Sequence, residues 1–179
     1  MKIIDHSFHK TIGDIFSDEN FHVEGIRILK DAACGGEHTL PLFCSDERSY
    51  ATRYTCVDLM IIKDRKVKVI IEIEESNVKP LHLFGKYLAS AMANYYIYGE
   101  EEVGMDDSVV FIQILDTSKQ KSLSAKISQW ENIEESIRFI IPVKGSSIKK
   151  YKIFHGNQSA FKSRDKKEEL IEFVTSTLK

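Results

Sequence analysis

The stretch CVDLMIIKDRKVKVIIEIE, from Cys56 to Glu74, contains two apolar runs joined by a short polar segment. Both runs have the composition of buried strands, and Asp64–Lys66 supplies the connection of a β-hairpin. Side chains alternate along a strand, so Ile70, Glu72 and Glu74 share one face of the second run. These acids must lie at an open end of the sheet or beside cations, because an unpaired buried carboxylate is very costly.

Asp58 lies on the first run, seven residues before Arg65, and Glu72 lies seven residues after it. Hairpin pairing therefore makes Asp58 and Glu72 near cross-strand neighbours. We expect Asp58, Glu72 and Glu74 to converge at one end of the sheet. Clustered hard oxygen ligands suit Mg²⁺, which can activate water and stabilise charge on a phosphate. The competing interpretation is a solvated strand end, with surface acids or salt bridges to lysines.

Helical periodicity is found on both sides of the hairpin. An N-terminal helix is predicted from apolar residues at Ile4, Phe8, Ile12 and Ile15. A second helix begins near Pro80, because proline suits a first helical turn. Its predicted core-facing stripe is Leu81, Phe84, Leu88, Ala91 and Tyr95. Two later helices are predicted for SLSAKISQWENIEESI and KKEELIEFVTSTL.

Further strands are predicted for EHTLPLFCS, DSVVFIQILD, IRFIIPVKG and KKYKIFH, whereas FHVEGIRILK fits either a strand or a helix. A parallel pairing of VKVIIEIE with SVVFIQILD is expected, because the helix between them forms a crossover connection. The element order predicts an α/β fold with a mixed central β-sheet flanked by helices. A length of 179 residues suits one domain, spanning 1–179.

Composition and charge exclude several classes of protein. A formal net charge of −2 is not that of a polycation, and no apolar run reaches the roughly 20 residues of a membrane span. The start, MKIIDHSFHK, lacks the apolar stretch of a secretory signal. Cys34, Cys44 and Cys56, with His38, lack the closely spaced pairs typical of zinc sites, so reduced thiols in a cytoplasm are expected.

Basic residues are concentrated towards the C-terminus. Residues 141–167 carry eight lysines and arginines against one acid, a formal charge of +7. This asymmetry favours a surface for phosphates, although a solvated charged face is the ordinary alternative. The candidate phosphate contacts are Lys149, Lys150, Lys152, Arg48, Arg53 and Lys79.

The helix after the hairpin carries Lys79, His82 and Lys86 at spacings of three and four, so these residues lie on one helical face. This face could lie close to the acids and contact a phosphate, or it could be an exposed basic face. His82 is in addition a weaker candidate for a catalytic base.

Asp58, the hairpin, Glu72-Ile73-Glu74 and the following helix together resemble the PD-(D/E)XK, or restriction endonuclease-like, nuclease superfamily. The resemblance covers about Arg53 to Tyr98. In that family the pattern implies an aspartate at the start of one strand and an acid-x-lysine on the next. Here valine stands at position 57 in place of the proline, and Glu74 replaces the lysine, which resembles an E-x-E minority among restriction enzymes. Lys86 is a candidate for the missing positive charge.

The resemblance implies a restriction endonuclease-like core and a DNA endonuclease that depends on Mg²⁺ or Mn²⁺ and uses no organic cofactor. Asp58, Glu72 and Glu74 would bind the metal and catalyse hydrolysis, and a further acid, Glu24 or Glu37, would join them from the N-terminal region. Cutting both strands implies a homodimer. Two alternatives stay open: a non-catalytic nucleic-acid-binding or assembly subunit with the same fold, and an unrelated α/β domain with surface acids.

Overall fold

The computed structural model describes residues 6–75 and 78–179, and it has a mixed β-sheet flanked by helices, as predicted. The helices are α1 Ser7–Ile15, α2 Pro80–Ala91, α3 Leu123–Ile140, α4 Gln158–Lys162 and α5 Arg164–Thr177. The strands are β1 Ile26–Lys30, β2 Leu40–Phe43, β3 Arg53–Val57, β4 Leu59–Lys63, β5 Lys66–Glu74, β6 Tyr95–Tyr98, β7 Glu101–Asp116 and β8 Ile148–Gly156. Among the described residues, no helix is long and apolar enough to cross a membrane.

The predicted hairpin is formed by β4 and β5, which pair antiparallel. Its two turn residues, Asp64 and Arg65, have φ angles of 50° and 63°. Positive φ at both positions is the backbone of a type I′ turn, whose twist matches that of the flanking strands. The register sets Leu59 opposite Ile71, so Asp58 lies next to the end of β5.

The run CVDLMIIK was predicted to be one strand, but it contains parts of two strands. β3 ends at Val57 and pairs with β2, whereas β4 begins at Leu59 and pairs with β1 and β5. Asp58 is the residue between them. It therefore lies at the point where the chain changes from one set of pairing strands to another.

The parallel pairing of β5 with β7 is confirmed, and it sets Glu72 beside Gln113. The connection contains α2 and also β6, a short strand that the sequence analysis did not predict. β7 is 16 residues long and begins before the predicted segment. Its first residues pair antiparallel with β6, and its second half lies between β5 and β8 in parallel. The full strand order is β1-β4-β5-β7-β6-β2-β3, with β8 paired to β7.

Each face of the sheet carries its own apolar core. On one face, α2 and α3 contribute Leu83, Tyr87, Trp130, Ile133 and Ile137. On the other face, α1, α4 and α5 contribute Phe8, Ile12, Phe161, Leu170 and Val174. Side chains alternate along β5, so Glu72 and Glu74 follow Ile70 towards the α2 face.

The core-facing stripe predicted for α2 is confirmed at Phe84 and Ala91, which pack in the core, and is wrong at its other positions. The strand predicted for IRFIIPVKG is also wrong. In α2 the buried residues are Leu83, Tyr87, Ser90 and Ala91. Leu81 and Leu88 are 77% and 42% exposed, and Tyr95 lies beyond the helix in β6. The segment IRFIIPVKG is not a strand, because Ile137 continues the buried helical spacing of Trp130 and Ile133 and extends α3 to Ile140. In the N-terminal helix, Phe8, Ile12 and Ile15 are buried, and Ile4 lies outside the described residues.

The corrected face of α2 can be tested by a matched pair of substitutions. Leu83→Ala should lower the free energy of unfolding by about 2–5 kcal/mol, because it leaves a cavity in the core. Leu81→Ala removes the same atoms from an exposed position and should change it by less than about 0.5 kcal/mol. Urea denaturation of both variants measures the difference, and equal losses would contradict the observed burial.

Candidate functional site

Asp58 anchors a cluster of acids at one end of the β4–β5 hairpin. Its Oδ2 accepts a hydrogen bond from the backbone N–H of Ile73 at 2.6 Å. His9 of α1 approaches from the other face, with Nε2 at 3.8 Å from the same oxygen. Burial raises the pKa of Asp58, and Asp31 adds to this, whereas Lys86, the Ile73 N–H and His9 act in the opposite direction. The carboxylate is thus fixed by a hydrogen bond, in surroundings whose burial makes its ionised form less favourable.

Glu72 is the most buried acid of the cluster, with 0% of its surface exposed. Its Oε2 accepts a hydrogen bond from Lys86 Nζ at 2.8 Å. Its Oε1 has no hydrogen-bond partner among the described residues. Burial raises the pKa of Glu72 well above its ordinary value; Lys86 opposes the shift, and the neighbouring Asp58 carboxyl reinforces it. Two such adjacent carboxylates need a shared proton or a further cation to offset their repulsion.

Lys86 is the basic residue that α2 brings to the acids. Its Nζ lies 2.8 Å from Glu72 Oε2 and 2.8 Å from Glu74 Oε1, the second contact being an ion pair without hydrogen-bond geometry. Burial lowers the pKa of Lys86, but Glu72, Asp58 and Glu74 together outweigh this and raise it. The Lys86 ammonium is therefore charged at neutral pH and cannot serve as a base.

Glu75 connects the end of β5 to α1. Its Oε1 accepts a hydrogen bond from the backbone N–H of His9 at 2.7 Å and lies 2.8 Å from His9 Nδ1. An anion in the first turn of a helix is also favoured by the helix dipole. α1 is held in this position by a close approach at Gly13, where any Cβ would lie 2.0 Å from the carbonyl oxygen of Cys34. Only glycine allows that contact, so Gly13 helps to fix His9 beside the acids.

The structure brings together four of the predicted site residues: Asp58, Glu72, Glu74 and Lys86. The two candidate N-terminal acids are elsewhere. Glu24 is exposed and precedes Gly25, whose carbonyl accepts a hydrogen bond from Asp64 at the opposite end of the hairpin. Glu37 is exposed in the loop between β1 and β2. The N-terminal residue next to Asp58 is instead His9.

The other predicted basic residues lie outside this cluster. Lys79 and His82 are exposed on or just before α2 and, of the predicted basic face, only Lys86 contacts the acids within the described residues. Arg48 donates to the Gly99 carbonyl oxygen, and Arg53 lies over the Tyr50 ring. These two arginines are exposed at the edge formed by β2, β3 and β6.

The three lysines predicted on β8 also have protein partners. Lys149 donates to the carbonyl oxygen of Ser146, and Lys150 lies over the Phe173 ring at 4.5 Å. Lys152 pairs with Glu134 of α3 at 3.2 Å. Lys149 and Lys150 are exposed, whereas Lys152 is half-buried. Part of the basic charge of residues 141–167 is therefore neutralised by acids of α3 and α5.

His9 is the residue of this site that sequence analysis missed. It follows the buried Phe8 on α1 and is 12% exposed at its side chain. A helical spacing identifies the buried face that contains Phe8 and Ile12. It does not show which strand end lies beside His9. The contact with Asp58 depends on how α1 docks, and the sequence carries no local signal for that.

Comparisons with protein-family models, with curated proteins and with solved structures gave no match. The chemistry of the site therefore has to be judged from its geometry. Asp58, Glu72 and Glu74 supply carboxylate oxygens, Lys86 supplies a fixed positive charge, and His9 supplies an imidazole. This arrangement can hold a cation and can stabilise negative charge on a ligand.

The burial of Glu72 predicts a specific dependence of stability on pH. Because its folded-state pKa is raised, the folded chain holds this proton more tightly than the unfolded chain. Ionised Glu72 therefore lowers the free energy of unfolding as the pH rises from the ordinary value of 4.5 through the folded-state pKa. Without added divalent ions, Glu72→Gln should be more stable than wild type at neutral pH, and this gain should shrink as the pH falls.

Urea denaturation at a series of pH values measures this effect. Glu102→Gln is the matched control, since Glu102 is exposed on β7 and its neutralisation should leave the pH dependence unchanged. A Glu72→Gln variant less stable than wild type at neutral pH would mean that the ion pair with Lys86 outweighs the cost of burial.

Proposed function

We propose that this protein is a DNA endonuclease that depends on Mg²⁺ or Mn²⁺ and hydrolyses phosphodiester bonds at the Asp58–Glu72–Glu74 cluster. One observation carries the proposal. The Glu72 carboxylate is fully buried and lies next to the carboxyl of Asp58. Its Oε1 has no hydrogen-bond donor among the described residues. Burying two adjacent carboxylates costs free energy unless a proton or a cation lies between them, which favours a functional role for them.

The residues present fit a hard divalent ion. Asp58, Glu72 and Glu74 offer oxygen ligands only, which is the donor set that Mg²⁺ and Mn²⁺ prefer. Glu72 contacts Lys86 through Oε2, so Oε1 can take part in metal binding without breaking that ion pair. When bound, the ion would polarise a phosphate oxygen and lower the pKa of a water molecule.

The surrounding elements support a restriction endonuclease-like core as part of the same proposal. An aspartate precedes one strand of a hairpin, an acid-x-acid triplet ends the other, and a helix then leads to a parallel strand. The lysine expected in the triplet is replaced by Glu74, and Lys86 brings an ammonium to the same carboxylates from α2. We infer that Lys86 takes over the electrostatic part of that role.

The protein side chains then have distinct tasks in hydrolysis. Lys86, held protonated by three acids, stabilises the negative charge that develops on the phosphate in the transition state. Glu74 is more accessible than Glu72, at 12% side-chain exposure, and orients the attacking water or accepts its proton. Asp58 is fixed by the Ile73 N–H, which holds its carboxylate towards the cluster.

DNA is the proposed substrate because basic residues, most of them exposed, are available for backbone phosphates on several elements. The candidates are Arg48, Arg53, Lys79, Lys149, Lys150 and Lys152. Of these, Lys152 is the weakest, since it is already paired with Glu134. A homodimer would supply one site for each DNA strand.

One observation favours a second candidate function. Lys86 already neutralises part of the charge on Glu72 and Glu74 without any metal ion. A cluster balanced in this way could be a remnant in a non-catalytic nucleic-acid-binding or assembly subunit with the same fold. Metal binding separates the two possibilities, because a scaffold of that kind has no need to hold Mg²⁺ or Mn²⁺.

The proposed function predicts that the same residues control metal binding and cleavage. In calorimetric titrations, Asp58→Asn and Glu72→Gln should each weaken Mn²⁺ binding by at least about tenfold, since each removes a charged ligand. With plasmid DNA and Mg²⁺ or Mn²⁺, Glu74→Gln and Lys86→Met should each lower the cleavage rate by about 100-fold or more. DNA binding in Ca²⁺ should survive in both of these variants.

Lys66→Met is the matched control for Lys86→Met, because Lys66 is exposed at the turn of the hairpin, away from the acids. It should cleave DNA at the wild-type rate. Metal binding unchanged in Asp58→Asn or Glu72→Gln would remove the proposed site. Metal binding without cleavage of any DNA would favour the non-catalytic alternative.

Binding of DNA predicts a dependence on salt that specific lysines control. If Lys149 and Lys150 bind backbone phosphates, the double substitution to glutamine should weaken binding to all sequences alike. The slope of log K against log salt should fall by about one unit for each phosphate that is no longer neutralised. The control is Arg65→Gln combined with Lys66→Gln at the hairpin turn, which should keep the wild-type slope. If the Lys149 and Lys150 variant keeps the wild-type slope, these lysines do not bind phosphates and belong to a solvated charged surface.

A further inference from the structure

A second cluster of possible metal ligands lies beside the acids, on the α1 side of the sheet. His6, His9 and Glu75 each offer a ligand atom, and these atoms all lie within 4.8 Å of one another. We propose that His6, His9 and Glu75 form a binding site for a divalent transition-metal ion, of the class of Zn²⁺ or Co²⁺, separate from the carboxylate cluster. The inference is independent of the proposed function.

The helix places the two imidazoles on one side of α1. His6 and His9 are three residues apart at its N-terminus, and their ring centroids are 5.5 Å apart at an interplanar angle of 83°. His9 Nδ1 lies 2.8 Å from Glu75 Oε1. Two ligand atoms bound tetrahedrally to one ion at 2.0–2.1 Å lie about 3.3–3.4 Å apart, so a small side-chain movement brings this pair to the separation that an ion requires. His6 is exposed, and rotation of its side chain can bring it to the same point.

The partners of His9 also favour a ligand role. His9 Nδ1 is buried and makes no hydrogen bond with the described residues, although Glu75 lies beside it. Glu75 Oε1 already accepts the backbone N–H of His9 at 2.7 Å, but a carboxylate has several lone pairs on two oxygens. A buried imidazole nitrogen 2.8 Å from a carboxylate oxygen, outside hydrogen-bond geometry, is a pair of ligand atoms that a metal ion could share.

The other nitrogen of His9 lies near a second carboxylate, that of Asp58. Nε2 lies 3.8 Å from Asp58 Oδ2, on the side of the ring away from Glu75. At 3.8 Å these two atoms are beyond hydrogen-bond distance, so Asp58 acts on the His9 ring through its charge and not through a hydrogen bond. Asp58 thus places a negative charge beside this site while belonging to the carboxylate cluster.

The donor set distinguishes the two sites chemically. Two imidazoles and one carboxylate suit Zn²⁺, Co²⁺ and other first-row transition metals, whereas oxygen-only sites suit Mg²⁺ and Mn²⁺. Three protein ligands leave coordination positions open for water or a ligand. An open groove of about 720 Å³, lined in part by His6, Lys10 and Asp31, gives access to His6.

The experiment uses the full chain without a histidine tag. Co²⁺ is added, and its visible absorption and stoichiometry are followed, with Zn²⁺ as the competitor. Wild type should bind one Co²⁺ with an absorption spectrum typical of nitrogen and oxygen ligands, and Zn²⁺ should displace it. His6→Ala and Glu75→Gln should each weaken binding by at least about tenfold, because even the partners of metal ligands commonly contribute that much. His6 is exposed, so His6→Ala should fold normally.

His22→Ala is the matched control, since His22 is an exposed histidine that is not part of this cluster, and it should bind Co²⁺ as wild type does. Glu72→Gln separates the two sites. A spectrum that survives in Glu72→Gln and is lost in His6→Ala supports the inference even if no DNA is cut. A spectrum that survives in His6→Ala overturns it, and if Glu72→Gln then abolishes the signal, the ion belongs to the carboxylate cluster. No Co²⁺ binding by wild type also overturns the inference.

Discussion

The burial of the Glu72 carboxyl, which requires Lys86 beside it, is the constraint on which the arrangement of this end of the sheet depends. A carboxylate without solvent contact is tolerated only when a cation or a proton compensates it. α2 must therefore pack so that Lys86 reaches Glu72 Oε2, at 2.8 Å, while Leu83 and Tyr87 fill the core behind it. The same ammonium also contacts Glu74, so one side chain of α2 joins the helix to both acids.

Strand β7 places this ion pair within a wider polar layer. Gln113 lies beside Glu72 in the parallel pairing, and it is itself buried. Its Nε2 donates to the Leu83 carbonyl oxygen at 3.4 Å, and its Oε1 accepts from the Tyr151 hydroxyl of β8. Hydrogen bonds therefore run from β8 through β7 to α2, beside the acids of β5. A buried polar layer of this kind specifies a single register, since a slip by one residue would leave these groups unpaired.

Features determined by neighbouring residues could be predicted from the sequence. The hairpin, its turn, the crossover to β7 and the convergence of Asp58 with Glu72 all follow from alternation and from short connections. The buried face of α2 could not be predicted, because the helix carries two apolar stripes, one through Leu81 and Leu88 and one through Leu83 and Tyr87. Both have helical spacing. The two stripes are distinguished only by the packing of α2 on the sheet, which must place Lys86 beside the acids.

The acids at this end of the sheet contact helices on both of its faces. Asp58 lies between β3 and β4, so its carboxylate can be approached by Lys86 from the α2 side and by His9 from the α1 side. Glu75, one residue beyond β5, holds the backbone of His9 and so fixes α1 against the strand end. A change in charge at either helix affects Asp58, because Lys86 and His9 both lower the pKa of its carboxyl. The two proposed ion sites would therefore be coupled electrostatically, each weakening or strengthening the other through the charge and orientation of Asp58.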